Sequence, residues 1–583
     1  MNLERFKYLP GGHCTSIYLG IILILGIISY SNSLNVPMQF DDVLVVRISS
    51  HISSDLYSIQ SFLSNPRWLT DITFAINRHL HGVNVLGYHL INLAIHLSSA
   101  CVIYFLVKQI IKALKQTFHN SLNDEYSEYL AYFIPFATAA LFVCHPIQTQ
   151  AVTYIVQRYA SLATLLYLGS LLSYLLARFS FTNESEKFQL WLWCFASFFL
   201  AILAMKSKQI AFTLPIMVLM FELLLFRGKL LKNLIFLALI SALLLIIPLQ
   251  LFCSHFFSQT SETSLNLLSQ IQMATAETQN ISRTDYFITQ FRVVATYLRL
   301  LIVPTNQNLD YDYHVSSSLF EPSVFAALLL HISILLIATA LLIRSQRDFS
   351  STSPTAGIPK RLACLGILWF YLALCVESSF IPIRDVIFEH RIYLSSTGFF
   401  IAMTAYFAGV AAHRKQSRNL LWAVLTVICL VLTASTIARN RIWSDETIMW
   451  QDVLKKSPNK SKVRYFAGFL YFKKFMPEKA VPHLVRAIEL NPLTPYWITL
   501  NSQISILNQY KGRCSDGMKY HSSINTVDPR YRRLWQANSY NNLGLAYEYL
   551  GNIYLARESY LKALKLNPNF DFALNNLALL SAQ

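Results

Sequence analysis

Long apolar stretches follow one another through the first 438 residues, and the sequence then becomes polar. A helix needs about 20 apolar residues to cross a hydrocarbon core of about 30 Å. The first stretch continues to Tyr30 without a small-x-small cleavage site, which favours a retained anchor. The pattern predicts an all-α protein with a polytopic membrane helical bundle of about 11 spans. The predicted spans are 15–30, 86–111, 129–145, 160–178, 188–205, 208–226, 231–253, 320–343, 362–381, 391–412 and 419–438.

A further apolar stretch, 286–304, determines the side of the membrane on which the C-terminal segment lies. With eleven spans and a cytoplasmic N-terminus, most basic loop residues are cytoplasmic, as the positive-inside rule requires. A crossing at 286–304 would place the last two clusters of basic residues, 344–361 and 414–418, outside the cell membrane. The stretch also contains two charged residues, Arg292 and Arg299, which disfavour a full crossing. We therefore predict a buried or interfacial helix here and an external C-terminal segment. The cytoplasmic basic residues are then Lys108, Lys112, Lys115, Arg178, Arg227, Lys229, Lys232, Arg344, Arg347, Lys360, Arg361, Arg414, Lys415 and Arg418.

The polar tail repeats with a period of about 34 residues, the length of a helix-turn-helix tetratricopeptide unit. The clearest copy has Tyr540, Leu543, Gly544, Tyr547, Ala556, Tyr560, Ala563 and Pro568 at the signature positions. An earlier copy has Ala467, Gly468, Tyr471, Ala480, Leu484, Ala487 and Pro492, and a degenerate one ends at Pro529. The sequence thus predicts a transmembrane domain at 1–438 and a tetratricopeptide repeat (TPR) α-solenoid at 439–583.

Four asparagines are candidate acceptor-binding residues of the repeats. Asn541 and Asn542 lie on the inner helix of the clearest copy, and Asn575 and Asn576 occupy the same places one repeat later. Stacked repeats form a concave surface, on which side-chain amides can bind an extended peptide through paired donors and acceptors. The alternative is that these asparagines are solvated polar positions.

The composition supports a membrane protein and excludes other classes. The 583 residues are 54% hydrophobic and 14% charged, with a mean hydropathy of +0.40. Much of the net charge of +17 lies in cytoplasmic loops, where membrane topology explains it, so no nucleic-acid partner is predicted. The nine cysteines form no CxxC motif, which argues against a disulfide scaffold or a cysteine-ligated metal.

The unusual polar residues lie in the external loops and at the nearby span ends. The adjacent acids Asp41 and Asp42 follow the first span, and carboxylates at a membrane surface suggest acid/base chemistry. Cations from separate external segments reach the same face, where they suit a phosphate or pyrophosphate with a membrane-bound lipid tail. Each has a structural alternative, since a histidine within a span, such as His96, is more often a packing residue. The cations are Arg67, His145, Arg158, Lys206, Lys208, His390 and Arg391.

Several strings carry a resemblance to a known family. They are Phe40-Asp41-Asp42, Leu69-Thr70 through Gly87-Tyr88-His89-Leu90-Ile91-Asn92, His145-Pro146-Ile147 with Gln150-Ala151-Val152, Asn308-Leu309-Asp310-Tyr311-Asp312, and Glu389-His390-Arg391-Ile392-Tyr393-Leu394. With the terminal repeats, they resemble the transmembrane and tetratricopeptide repeat family of C-type (GT-C) glycosyltransferases, which is related to protein O-mannosyltransferases. The resemblance covers almost the whole chain, and the order of the strings is more specific than any one of them.

The resemblance implies a membrane enzyme that transfers a sugar, a hexose such as mannose, from a polyprenyl-phosphate donor to Ser or Thr hydroxyls of a protein. The expected catalytic acid of the first external loop is Asp41 or Asp42, which would take the acceptor's proton in an inverting transfer. Because like charges so close raise one pKa, one acid could act as a base near neutral pH. The seven cations above are candidates to bind the donor phosphate and stabilise its growing charge. A divalent cation at the acid pair would suit oxygen ligands, but the sequence shows no complete ligand set, and no other cofactor is indicated.

Two alternatives stay open. Transfer of the sugar to an envelope glycan or lipid would use the same core, and a non-enzymatic TPR membrane scaffold would use only the repeats. An envelope polymerase or ligase would place its key residues in a late external loop.

Two features depart from the family pattern. Gln150 is neutral at a position that is often acidic, and only about three repeats are present, fewer than in animal relatives. The repeat count favours a bacterial inner-membrane protein with periplasmic repeats over an endoplasmic reticulum protein with lumenal repeats.

Overall fold

The structure is a computed structural model, and it describes residues 11–42, 65–118, 125–181, 187–228, 240–245, 281–351, 354–383, 385–411, 414–474, 476–490, 537, 540–548 and 550–581. Every regular element within these ranges is a helix, which confirms the predicted all-α class for this part of the chain.

The bundle is built from ten apolar helices with two further helices at one end. Nine of the ten, counted with flanking 3-10 turns, are long and apolar enough to cross a membrane within the described residues, and α1 carries a shorter apolar run, Cys14–Tyr30. These ten confirm predicted spans, whereas the predicted span 231–253 falls mostly outside the described residues. The helices are α1 (Gly11–Tyr30), α2 (Trp68–His81), α3 (Val85–Phe118), α4 (Glu125–Cys144), α5 (Arg158–Ser180), α6 (Lys187–Met205), α7 (Leu214–Phe226), α8 (Arg283–Ile302), α9 (Pro322–Phe349), α10 (Gly357–Leu374), α11 (Tyr393–Ala411) and α12 (Lys415–Trp443).

Helix α8 corresponds to the apolar stretch that the sequence predicts to be buried or interfacial, and it is not among the nine spans. Its buried tyrosines hold the loop that precedes α11. The hydroxyl of Tyr286 donates to the carbonyl of Glu377 (2.6 Å), and that of Tyr297 donates to the carbonyl of Phe388 (2.9 Å). Helix α8 therefore supports the segment 377–388 from the side.

Helices α10 and α11 pack with their backbones in contact. Gly366 and Gly398 face each other, and a Cβ added to either would clash with the carbonyl oxygen of the other. Small residues at such crossings allow the close approach that drives helix association in a membrane. This contact fixes α11, which directly follows the 3-10 turn Glu389–Ile392 that carries His390 and Arg391.

A second hydrophobic core lies at the end of the bundle where α1 ends. It combines Phe40 of the first loop, Tyr154 from the segment before α5 and Leu309 from the segment after α8 with residues that follow α12, including Trp450 and Phe466. The predicted boundary at 438 falls within α12, which continues to Trp443. The C-terminal segment is therefore packed directly onto the first loop.

The opposite end of the bundle carries the basic residues that the positive-inside rule predicts to be cytoplasmic. Arg178 pairs with Glu222 (3.1 Å), Arg418 pairs with Glu125 (3.1 Å), and Lys108 donates to Thr15 (3.1 Å). These pairs lie far along the helices from the loops that contain Asp41 and His390.

The C-terminal segment consists of helix pairs. The first described helices are α13 (Glu446–Lys456), α14 (Ser461–Lys473) and α15 (Pro477–Glu489), and the last are α16 (Ile553–Leu566) and α17 (Asp571–Ser581), preceded by helical residues 540–548. Gly468 lies against Leu484 and Gly544 against Tyr560, where any larger side chain would clash. The small signature residues thus allow the helices of each pair to pack closely, as the repeat pattern predicts.

Candidate active site

The turn Phe40-Asp41-Asp42 is held in an unusual backbone conformation. Phe40 has a φ of +48°, which L-residues other than glycine rarely adopt and which costs free energy. Its ring packs edge-on against Trp450 and Phe466 at centroid distances of 5.9 and 5.5 Å. Packing against the repeat segment therefore stabilises a strained conformation directly before Asp41.

Asp42 is buried, and both of its carboxyl oxygens accept hydrogen bonds from the main chain. Oδ2 accepts from the amide of Gln39 (3.0 Å) and Oδ1 from the amide of Val156 (2.7 Å). Burial raises the pKa of Asp42 to about 8, although these amides oppose the rise. Its geometry is that of a structural side chain that joins the first loop to the start of α5.

Asp41 is partly exposed although many protein atoms surround it. Its amide donates to the hydroxyl of Tyr154 (3.1 Å), which also hydrogen-bonds the carboxylate. Burial raises the pKa of Asp41 to about 6, the positive charge of Lys462 opposes this rise, and Asp310 and Asp385 add to it. A carboxyl with this pKa is mostly ionised at neutral pH and can still take up a proton, as a general base must.

Two further acids and two lysines lie beside Asp41, and the sequence reasoning missed all four as site residues. Lys460 contacts Asp310 (2.5 Å) and Asp385 (3.1 Å), and Lys462 lies 3.0 Å from Asp310 and 3.8 Å from Asp385. Burial opposes the charge of Lys460, but Asp310 and Asp385 raise its pKa. The lysines come from the repeat segment and the acids from two loops of the bundle, so the site is built by both parts of the chain.

Four of the seven predicted phosphate-binding cations lie together. Lys208 forms an ion pair with Glu377 (2.9 Å), and burial together with the positive charges of Arg67 and Arg391 lowers the pKa of Lys208. Burial and the positive charges of Lys208, Arg391 and Arg67 lower the pKa of His390 well below its usual range, so its ring is neutral at pH 7. We call Arg67, Lys208 and Arg391 the cationic group, and His390 is its neutral neighbour.

The segment 385–391 connects the cationic group to the acids near Asp41. The guanidinium of Arg391 donates to the carbonyls of Asp385 (2.6 Å) and Val386 (3.1 Å). The side chain of Asp385 points toward Lys460, so one short loop lines both sets of charges. His390 bonds through its amide (2.7 Å) and Nδ1 (3.2 Å) to the Oε1 of Gln150, the neutral residue that departs from the family pattern.

The remaining three predicted cations have different surroundings. His145 uses both ring nitrogens, since Nε2 bonds the carbonyl of Leu301 (3.1 Å) and Nδ1 accepts from the amide of Ile147 (3.1 Å). Burial lowers its pKa to about 4, so it is neutral at pH 7. Lys206 is partly exposed, and its carbonyl accepts from the amide of Leu69 (3.3 Å), close to Arg67.

Arg158 is fully buried and connects three helices. It donates to Asn92 (2.7 Å), to Asn77 (2.8 Å) and to the carbonyls of Tyr88 (3.2 Å) and Thr73 (3.3 Å). These contacts hold α2 against α3 and α5. Unlike Arg67 and Arg391, neither His145 nor Arg158 is among the charges that act most strongly on Lys208, so we leave both out of the proposed phosphate site.

The string Asn308 to Asp312 joins the bundle to the repeat segment. Glu389 accepts from the amide of Asn308 (2.6 Å) and from the hydroxyl of Tyr311 (2.7 Å). Asn308 in turn donates to Ser457 (2.9 Å), whose hydroxyl donates to the carbonyl of Asp310 (2.8 Å). This network fixes the position of the Asp310 carboxylate, and only the family resemblance drew attention to the string in the sequence.

The candidate acceptor-binding asparagines differ in exposure. Asn541 and Asn542 are buried, Asn576 is partly buried and Asn575 is exposed. The amide of Asn576 donates to Asn541 (3.0 Å), and that of Asn542 donates to the hydroxyl of Tyr465 (2.9 Å) in the earlier copy. Contacts between repeats therefore engage three of the four.

Within the described ranges, no three or more His, Cys, Asp or Glu side chains are grouped as a metal site would require. The carboxylates of Asp310 and Asp385 are neutralised by Lys460 and Lys462 instead. The sequence does not predict a divalent cation at the acid pair, and none is proposed.

Comparison with known proteins agrees with this architecture. The tetratricopeptide repeat family matches residues 537–570, which confirms the clearest predicted copy. A protein O-mannosyl-transferase of Caenorhabditis elegans is 25% identical over 489 residues, covering 81% of this chain and 62% of the relative. The protein O-mannosyl-transferase TMTC3 of Mus musculus is 24% identical over 513 residues (81% and 51%), and TMTC4 of Homo sapiens is 24% identical over 457 residues (72% and 56%).

The chain spans between about half and about three fifths of the length of these relatives. The predicted resemblance is confirmed by matches that cover most of the chain. The protein is a multi-pass membrane protein with a tetratricopeptide repeat, similar over most of its length to the protein O-mannosyl-transferases of the transmembrane and tetratricopeptide repeat family.

Proposed function

We propose that the protein transfers a hexose, mannose in the simplest case, from a polyprenyl-phosphate donor to Ser or Thr hydroxyls of a protein acceptor. The observation that carries this proposal is the partly exposed Asp41 carboxyl at the same end of the bundle as the cationic group. The names of the relatives support the sugar and the protein acceptor. A lipid-linked donor suits cations placed at the mouth of a membrane bundle.

Asp41, rather than Asp42, is the proposed general base. Both oxygens of Asp42 already accept main-chain amides, whereas Asp41 is partly exposed and has the lower pKa of the two. Asp41 takes the proton of the acceptor hydroxyl while the hydroxyl oxygen forms a bond to the anomeric carbon. The bond from this carbon to the phosphate oxygen breaks, and its electron pair stays on the oxygen of the departing polyprenyl phosphate. The configuration at the anomeric carbon is inverted.

The cationic group is the proposed site of the donor phosphate. The phosphate gains negative charge as the sugar leaves, and fixed cations stabilise that charge in the transition state. Lys208, Arg391 and Arg67 lie near one another and supply this positive charge, and Lys206 lies close by. The Nδ1–H of His390 donates to Gln150, so the other nitrogen of this neutral ring is an acceptor, and His390 is not assigned a contact to the phosphate.

The proposed location is a bacterial inner membrane with the site and the repeats in the periplasm. The basic residues at the opposite end of the bundle support this orientation. The repeats pack onto the first loop, so an acceptor bound along them would reach the same compartment as Asp41.

The proposal is tested in cells that carry the wild-type chain, Asp41→Asn or Asp42→Asn, by mass spectrometry of glycopeptides from membrane and envelope proteins. We expect hexose on Ser or Thr residues with the wild-type chain and none with Asp41→Asn at equal protein level. If Asp41→Asn loses hexose from envelope lipid or glycan while the glycopeptides stay unchanged, the alternative acceptor is favoured. Identical profiles for the wild type and Asp41→Asn would contradict the enzyme assignment and favour a scaffold.

A further inference from the structure

Lys462 is a cation of the repeat segment that lies against the turn of Asp41. Its side chain is 2% exposed, and its ammonium lies 4.5 Å from the ring centroid of Phe40, the residue directly before Asp41. A desolvated ammonium over an aromatic face is attracted by the ring. Lys462 therefore contacts the strained residue directly before Asp41.

The charges around Asp41 explain why a lysine is needed there. Asp310 and Asp385 face Asp41, Asp42 adjoins it, and Tyr154 hydrogen-bonds it. The negative charges of Asp310 and Asp385 disfavour ionisation of Asp41, as burial does. Lys462 opposes them from 3.0 Å beside Asp310 and 3.8 Å beside Asp385.

Lys460 provides an internal comparison. It contacts the same two acids, Asp310 and Asp385, but is 22% exposed and does not lie over Phe40. The charges that act most strongly on Asp41 include Lys462, Asp385 and Asp310 but not Lys460. The two lysines thus share partners and differ in their relation to the Asp41 turn.

We propose that Lys462 is a positioning residue, supplied by the repeat segment, that holds the Phe40–Asp41 turn and keeps the Asp41 carboxyl ionised. The repeats then complete the site in addition to any contact with an acceptor. Only the consequence for sugar transfer rests on the proposed function, because the protonation of Asp41 can be measured without a substrate.

The test is an infrared titration of the full-length protein in detergent between about pH 4 and pH 9, which brackets the usual range of perturbed carboxyls. The C=O band of protonated Asp41 is obtained by subtracting the spectrum of Asp41→Asn. We expect Lys462→Met to move the midpoint of this band upward by about one pH unit or more, as loss of a nearby opposite charge does. Lys460→Met is expected to move it less, and Lys462→Arg is expected to leave it near the wild-type value.

An Asp41 band that titrates at the same pH in the wild type and Lys462→Met would overturn the proposal. So would an equal shift in Lys460→Met, because the effect would then belong to the cluster as a whole. If Lys462→Met does not fold, Lys462→Arg decides, and a midpoint raised by one pH unit or more in that variant contradicts the proposal. None of these outcomes depends on sugar transfer, whose absence from the wild-type protein would count against the proposed function alone.

Discussion

The carboxyl group of Asp42 accepts a hydrogen bond from the amide of Val156 at 2.7 Å, which joins the first loop to the start of α5 across 114 residues of sequence. A second amide, that of Gln39, occupies the other oxygen at 3.0 Å. Asp42 thus closes the turn that presents Asp41, so the two adjacent acids have different surroundings.

Replacement of Asp42 by asparagine is expected to lower stability. The new amide nitrogen cannot accept a hydrogen bond, so the amide of either Gln39 or Val156 loses its acceptor in a buried position. Such a loss costs about 1–3 kcal/mol. Thermal unfolding in detergent should show a lower midpoint for Asp42→Asn and an unchanged one for Asp41→Asn. An unchanged midpoint together with abolished transfer in Asp42→Asn would assign the base to Asp42.

Lys208→Met is expected to raise the KM for the lipid-linked donor about tenfold or more, since a hydrogen bond to a charged group contributes about 1.5–3 kcal/mol. The single substitution also breaks the ion pair with Glu377 and leaves that carboxylate without its partner lysine, so a control variant is needed. Lys208→Met with Glu377→Gln removes both charges, so it should recover stability but not donor affinity. Wild-type KM in this double variant would exclude Lys208 from the donor site.

The convergence of the cationic group was predictable from the sequence because the number of preceding spans fixes the side of the membrane on which each loop lies. The number of spans does not determine the direction of a side chain. Arg158 lies at the correct end but points inward to Asn92 and Asn77, and His145 bonds its own turn. Polar partners far away in the sequence decide such orientations.

The acids and lysines beside Asp41 were not predictable in this way. Asp310 and Lys460 are 150 residues apart, and no periodicity or spacing links them. Asp41 and Asp42 are equivalent in the sequence, and only the positive φ of Phe40 and the position of Val156 distinguish them. The spans and the repeat could be predicted because their patterns are local and regular.

The asparagines of the repeats separate stability from acceptor binding. Asn575 is exposed, so Asn575→Ala should leave the unfolding midpoint unchanged and raise the KM for a Ser- and Thr-rich acceptor peptide. Asn542→Ala removes the bond to Tyr465 and should cost about 1 kcal/mol of stability. If Asn575→Ala leaves the acceptor KM unchanged, this residue does not contribute to acceptor binding.

The most direct test of the central claim is the rate of mannose transfer from polyprenyl-phosphate mannose to a Ser- and Thr-rich peptide, measured against pH for the wild type and Asp41→Asn. Asp41 must be ionised to accept a proton, so the wild-type rate should fall as pH drops through about 6, the pKa of this carboxyl. Asp41→Asn should lose about 10²- to 10⁴-fold in rate, the usual contribution of a general base, without a change in unfolding midpoint. Transfer by Asp41→Asn at the wild-type rate, with the same dependence on pH, would contradict the assignment of Asp41 as the base.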